Sequence, residues 1–255
     1  MKKIDAIPST PEILNCEKHG DYEVKYMPGF NGKVWVNEMC SKCIVETEAI
    51  KKAKKESDLK ELQESQEINR KKNNRVNAGI SKRNLNKTFD DYICSNEGQT
   101  KAKNDCVRYT SEFPTDKSLI MVGGVGTGKT LLASAMLESL VDNHRCEMIK
   151  VIDMIRELKS TWSKDSERTE EGLIKYFCKL DLLILDEVGS QFGSDTEKLF
   201  IFDIIDGRYQ EMLPTILISN LDIDGVKEVV GERCVDRLRE GGGSMIAFNW
   251  NSSRS

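Results

Sequence analysis

Two short segments carry residue types able to hold and split a polyphosphate. The first is Gly123, Gly124, Val125, Gly126, Thr127, Gly128, Lys129 and Thr130, which fits the pattern G-x-x-x-x-G-K-[ST] in full. A glycine-rich turn that opens a helix aims backbone N–H groups at phosphate oxygens. Lys129 would reach the outer phosphates of a nucleotide, and Thr130 would hold Mg²⁺. The second segment is Asp186-Glu187, two acids at the end of the apolar run Leu182-Leu183-Ile184-Leu185. A carboxylate at the C-terminal tip of a buried strand lies beside the phosphate loop of an open α/β sheet. Asp186 would orient the Mg²⁺ shell, and Glu187 would polarise the attacking water as general base. A strand ending in two acids also fits a plain solvated strand end. The phosphate loop at this separation favours the catalytic reading.

The flanking patterns name the elements that must position these groups. An apolar run at 119–122 predicts a strand before the loop, and 131–137 a helix after it. Residues 148–152 predict the next strand, followed by a helix with Asp153 as its N-cap. Thr215-Ile216-Leu217-Ile218 predicts another strand, ending at Ser219-Asn220, where Asn220 would hydrogen-bond the water or the γ-phosphate. A helix rich in arginine is predicted over 231–239 and a last strand over 244–250. The segment Thr88-Phe89-Asp90-Asp91-Tyr92 reads as a packing strip before a helix around 101–113. Continuous rather than alternating apolar runs mark strands covered on both faces. The expected fold class is therefore α/β, a parallel central sheet with helices on both faces.

Near the N-terminus stand a C-x-x-H pair, Cys16 and His19, and a C-x-x-C pair, Cys40 and Cys43. Tyr22, Val24 and Tyr26 alternate with polar residues, Pro28-Gly29-Phe30-Asn31-Gly32 reads as a turn, and Val34, Trp35 and Val36 as a return strand. One hairpin would then bring both pairs together. Three thiolates and one imidazole suit tetrahedral Zn²⁺, and a filled shell makes the site structural. A redox C-x-x-C is the alternative. This zinc-ribbon-like module is assigned to residues 1–45. Cys94, Cys106, Cys146, Cys178 and Cys234 are scattered and read mostly as small buried hydrophobes.

Residues 46–78 are dense in charge and good helix formers, a connector before the main domain at 79–255. The thin apolar stripe favours a solvated helix over a partner-binding one. Lys71, Lys72 and Arg75 near its end are weak candidates for phosphate contact. The chain of 255 residues suits one α/β domain plus a smaller piece, and a formal net charge of −4 excludes a polycation. Any nucleic-acid contact must come from a local patch. The lack of a long apolar run predicts no membrane span, and the N-terminus has no apolar signal core. A cytoplasmic chain with reduced or metal-bound thiols is expected.

The segment 79–255 resembles the DnaC-type helicase loaders of bacteria and their phages, members of the AAA+ superfamily alongside IstB transposition ATPases and the initiator DnaA. The likeness rests on Thr88-Phe89-Asp90-Asp91-Tyr92, the loop from Gly123 to Thr130, Leu183 to Glu187, Gly231-Glu232-Arg233 with Asp236-Arg237, and Phe248-Asn249-Trp250 with Arg254. It implies an AAA+ P-loop ATPase using ATP and Mg²⁺, weak until stimulated by assembly or DNA. Lys129 and Thr130 resemble the Walker A pair, Asp186 and Glu187 the Walker B pair, and Asn220 the γ-phosphate sensor. Arg237 matches the arginine finger acting on the neighbouring subunit's ATP, which implies self-assembly, and Arg254 resembles the second sensor. The chain stops one residue after Arg254, which would loosen that sensor.

The implied partners are a DnaB-like hexameric replicative helicase and single-stranded DNA. In the family the N-terminal region grips the helicase. Here the metal module resembles phage-type variants and departs from the enterobacterial form. A basic–aromatic group at Lys159, Trp162 and Lys164 is a candidate DNA contact, with a plain surface helix equally compatible. An IstB-like helper of a transposase and a zinc-dependent DNA-binding adaptor with a vestigial ATPase are the competing functions.

Overall fold

The computed structural model describes residues 2–10, 12–29, 33–190 and 193–252 and divides the chain into the units Met1–Ile68 and Asn69–Ser255. In the first unit β1 (Lys2–Ile4), β4 (Lys25–Pro28) and β5 (Val34–Asn37) form an antiparallel sheet in the order β1-β5-β4, and β2 (Ile13–Cys16) pairs with β3 (Gly20–Glu23) in a separate hairpin. The expected single strand through Tyr22, Val24 and Tyr26 is therefore two strands. Tyr22 pairs with Leu14 in one sheet and Tyr26 with Val36 in the other. The break falls at Val24, whose buried side chain anchors the crossing while its N–H donates to the Glu12 carbonyl at 2.9 Å. Phe30, Asn31 and Gly32 of the expected turn lie outside the described residues.

α1 (Ser41–Asn77) follows as one helix, and none of its residues is buried. It starts within the second cysteine pair. Near its end Arg75 donates to Glu138 at 2.6 Å and to Asp142 at 2.9 Å, so its guanidinium is engaged by carboxylates.

In the second unit a 3-10 turn (Phe89–Asp91) precedes α2 (Glu97–Ser111), β6 (Leu119–Gly123), α3 (Lys129–Leu140), β7 (Cys146–Lys150), α4 (Val151–Ser160), α5 (Glu170–Cys178), β8 (Leu182–Val188), α6 (Asp195–Gln210), β9 (Thr215–Ser219), α7 (Ile223–Val230), α8 (Glu232–Arg239) and β10 (Ser244–Phe248). Five parallel strands lie in the order β10-β6-β9-β8-β7. Leu119 and Met121 face α2 and α3, while Ile120 and Val122 face the layer containing α4 to α8. The same alternation holds at Leu182 and Ile184 against Leu183 and Leu185. Apolar residues on both faces are what a parallel sheet between two helical layers requires.

Several expected boundaries shift: α2 spans 97–111 rather than about 101–113, and the last strand ends at Phe248 rather than at 250. The second core strand spans 146–150 rather than 148–152, and α4 begins at Val151. Asp153 accordingly sits in the first turn and not at the N-cap, which is Lys150. Its carboxylate still suits the positive helix end, and it accepts from Arg156 at 2.9 Å. Val151 and Ile152 are β-branched, so propensity favoured strand, but burial of Val151 with Met154 and Ile155 fixes a helix.

Under the N-terminal ends of the strands lies the fully buried Arg208. It donates to the carbonyls of Phe177 (2.6 Å), Leu180 (2.8 Å) and Pro214 (2.5 Å) and to Thr215 Oγ1 (2.9 Å). These bonds tie the end of α5, the approach to β8 and the start of β9 to one guanidinium. Arg208→Leu should cost at least about 3 kcal/mol, since several buried acceptors lose their donor at about 1–3 kcal/mol each. Denaturant unfolding of the variant measures this; a loss below about 1 kcal/mol would mean that the carbonyls find other partners.

Candidate functional site

The C-terminal ends of the strands open into a cleft of about 820 Å³ lined by Gly126 to Leu131, Lys150, Asp153, Asp186, Glu187, Ser219 and Asn220. The phosphate-loop pattern lies between β6 and α3 as the sequence predicts. Lys129 is buried, and its Nζ donates to the carbonyls of Gly123 (2.6 Å) and Gly124 (2.8 Å) and to Thr127 Oγ1 at 3.3 Å. Thr127 Oγ1 in turn donates to the Gly124 carbonyl at 2.9 Å. The loop is thus wrapped on its own ammonium at the positive end of α3, a local field suited to an anion.

Thr130 Oγ1 donates to Asp186 Oδ2 at 3.2 Å, bringing together the two residues expected at Mg²⁺. Their hydroxyl and carboxylate oxygens are hard donors of the type Mg²⁺ takes. Between β8 and β9 the register jumps: Leu185 pairs with Leu217 and Val188 with Ser219, so Asp186 and Glu187 together oppose Ile218. This bulge turns the two acids in different directions. Glu187 takes a left-handed φ of 55° and its Oε1 meets Lys150 Nζ at 2.9 Å. Asp186 is buried, and that burial raises its pKa, against a hydrogen bond from the Glu187 N–H at 2.8 Å that stabilises the carboxylate.

Asn220 also reaches the cleft, at the tip of β9, where Ser219 Oγ donates to the Val188 carbonyl at 2.6 Å and locks the two strand ends. Arg237 does not reach it. Arg237 lies at the opposite end of the sheet, beside Ser118 and Thr215, where it pairs with Asp206 at 2.9 Å and Glu240 at 3.2 Å and stacks 4.4 Å from the Tyr209 ring centre. Arg254 lies outside the described residues. Of the candidate DNA contacts, Lys159 is paired with the buried Glu197 at 2.7 Å, whereas Trp162 is exposed and donates to Glu170 at 2.6 Å.

Sequence reasoning missed the other wall of the cleft. Gly79, Ser81, Arg83, Asn84, Lys87 and Asp91 line it. This segment is held by Met148 N–H donating to the Ala78 carbonyl at 2.8 Å, on the otherwise open edge of β7, and by Asn84 Nδ2 donating to Ser134 at 3.0 Å. A Cβ on Gly79 would stand 1.9 Å from the Met148 carbonyl oxygen, so only glycine allows that approach. The glycine was the available signal. Lys150 was missed because nothing local marks a lysine at a strand tip.

The N-terminal cluster is the second site. Cys16, His19, Cys40 and Cys43 offer ligand atoms all within 4.8 Å of one another. His19 Nδ1 stands 3.8, 3.7 and 3.3 Å from the sulfurs of Cys16, Cys40 and Cys43, and the Cys16 and Cys43 sulfurs are 3.6 Å apart. A tetrahedral Zn²⁺ with ordinary bond lengths needs edges of about 3.5–3.8 Å, so the donor set fits. His19 Nε2 faces Glu46 Oε1 at 3.0 Å, which assigns the proton to Nε2 and leaves the Nδ1 lone pair for the ligand site. Lys18 holds the other oxygen of Glu46 at 2.5 Å. A convergence of four ligand atoms favours metal over a redox dithiol.

Two outcomes follow from this geometry. Cys40→Ser should lower bound zinc from about one ion per chain to near none by elemental analysis, with loss of N-terminal structure by circular dichroism. Retained stoichiometric zinc would reject the ligand set. Asp186 has a folded pKa raised above its unfolded value, so the folded state holds its proton more tightly and stability falls as pH rises through this range. Without added magnesium, Asp186→Asn should therefore melt higher than the wild type at neutral pH, with the difference shrinking on acidification, while magnesium-dependent hydrolysis is lost.

A family model described as "IstB-like ATP binding protein" matches residues 43–237. A replicative helicase loader DnaC from Buchnera aphidicola subsp. Acyrthosiphon pisum is 37% identical over 179 residues, 69% of this chain and 73% of its own. The replicative helicase loader DnaC of Escherichia coli K12 is 35% identical over 180 residues, 70% of this chain and 73% of its own. A crystal structure of the DnaC helicase loader matches with a TM-score of 0.59 and 26% identity, covering 66% of this chain and 99% of that one. The phosphate loop, the acidic strand tip and the 10-6-9-8-7 sheet all fall within the same fold, and the chain belongs to the IstB/DnaC-type AAA+ ATPase family.

Proposed function

We propose that this chain is an ATP-dependent loader that delivers a hexameric, DnaB-like replicative helicase onto single-stranded DNA. The names of the relatives support helicase loading, and the observation that carries its ATP dependence is the contact of Thr130 with Asp186, beside the buried Lys129, in a cleft at the strand tips. That arrangement fits Mg²⁺ between a hydroxyl and a carboxylate and triphosphate on the loop amides. Bound Mg²⁺ would neutralise charge developing on the phosphates. Lys129 would exchange its carbonyl partners for phosphate oxygens. Glu187 would orient water once its hold on Lys150 is broken, with Asn220 facing the same space.

Arg237 lies away from its own protomer's cleft, as a finger acting on a neighbour's nucleotide must. Assembly would then control hydrolysis: the γ-phosphate gives the bound neighbour a differential contact, and its loss releases the loader. Turnover is proposed to be weak until assembly or DNA stimulates it. Residues 1–45 would form a zinc module and 46–78 a helical connector, ahead of the ATPase domain at 79–255. The four-ligand Cys/His cluster supports a structural rather than catalytic zinc. The chain is proposed to act in the cytoplasm; among the described residues no helix is long and apolar enough to cross a membrane.

The resemblance to IstB transposition ATPases also admits a transposase helper. The names of the curated relatives favour the loader. Co-purification with a hexameric helicase in the presence of ATP tests this directly, and selective recovery of a transposase would reverse it. Within the same assay, Lys129→Ala should lose ATP binding. Arg237→Ala should bind ATP but lose about 10³-fold or more of any stimulated rate, as removal of such a finger does. Unchanged stimulated turnover in Arg237→Ala would exclude the trans role.

A further inference from the structure

Two aromatic residues far apart in sequence meet on one carbonyl of the phosphate loop. Tyr92 Oη and Trp250 Nε1 each donate to the Thr127 carbonyl oxygen at 3.1 Å. Tyr92 is buried and ends the 3-10 turn, whose Thr88–Asp91 capping box fixes its approach. Trp250 follows β10, with its ring 4.9 Å from that of Phe248 and against Gly98 of α2. The chain after Trp250 continues over the loop, bringing Ser252 beside Gly126.

The peptide that links Thr127 to Gly128 is planar and trans, so its C=O and N–H point in opposite directions. Holding the Thr127 carbonyl toward the two aromatics therefore turns the Gly128 N–H the other way, toward the phosphate side of the loop. Gly128 has a φ of 95°, and a Cβ there would stand 2.3 Å from Tyr92 Cε2. The phenol ring thus occupies the space a side chain would need, and its close approach to the start of α3 requires glycine there. A loop amide aimed in advance costs no reorientation when an anion arrives.

We infer that Tyr92 and Trp250 are positioning residues for nucleotide binding: together they clamp the Thr127 carbonyl and aim the Gly128 amide at phosphate. This rests on the reading of the cleft as a nucleotide site. Neither residue touches the nucleotide chemistry, so the clamp acts on affinity and leaves the chemical step alone. Loss of one donor leaves the carbonyl with the other; loss of both leaves it without either of them. The two deletions must then be coupled.

The test is titration calorimetry of Mg·ADP on the full chain for wild type, Tyr92→Phe, Trp250→Phe and the double variant. Both substitutions keep an aromatic ring and remove a donor. Each single variant should bind about threefold more weakly, and the double at least about thirtyfold, beyond the ninefold product. Melting temperatures without nucleotide should fall by only a few degrees, as loss of the donors to one buried carbonyl predicts, and kcat at saturating ATP should be unchanged while KM rises. The amide resonance of Gly128 should shift on adding Mg·ADP in the wild type and much less in the double variant. A double variant that binds like the wild type, or loses only the product of the single effects, overturns the clamp. Failure of the wild-type chain to bind Mg·ADP overturns the nucleotide reading itself, and the clamp with it.

Discussion

Burial on both faces is the constraint from which the ATPase unit follows. The strands β6, β8 and β9 are apolar side to side, so their polar and charged residues can leave the sheet only at its ends. Parallel direction then sends every strand tip to the same edge. Gly123, Asp186 and Ser219 are neighbours for that reason, although they lie far apart in the chain. The phosphate loop supplies amides and a buried ammonium at this edge, and the bulge in β8 supplies two carboxylates of different aim. At the other end the same sheet meets Arg208, which replaces water as the donor for the carbonyls of Phe177 at the end of α5, Leu180 and Pro214.

Much of this was legible where chemistry and local pattern coincide. The loop from Gly123 to Thr130 requires a strand before and a helix after, and both stand within a few residues of the expected limits. The run Leu182 to Leu185 announced a strand buried on both sides because no polar residue interrupts it. The Cys16–His19 and Cys40–Cys43 spacing named four residues that the fold does bring together. The path between them was misread. Alternation through Tyr22 to Tyr26 looks like one strand, yet the chain changes sheets at Val24, a decision made by tertiary burial.

What stayed illegible depends on long-range contact. No local pattern reveals that Lys150 will meet Glu187, that the segment after Ala78 will extend the edge of β7, or that Tyr92 and Trp250 will share an acceptor. The bulge itself is a mismatch between two strands and has no signature in either one. Arg237 is different again. Its helix was expected, but only the fold reveals its separation from the cleft and the Asp206, Glu240 and Tyr209 cradle around it.

The helix Ser41–Asn77 has a consequence of its own. At the usual rise it is about 55 Å long. None of its residues is buried, so hydrophobic packing contributes little, and backbone propensity together with side-chain ion pairs must carry most of its stability. Heating or a change in ionic strength should loosen such an element by gradual fraying, out of step with the cooperative melting of a packed core. Its stiffness is adjustable by surface residues alone, which makes it a place where mechanical compliance can change without disturbing the chemistry of either end.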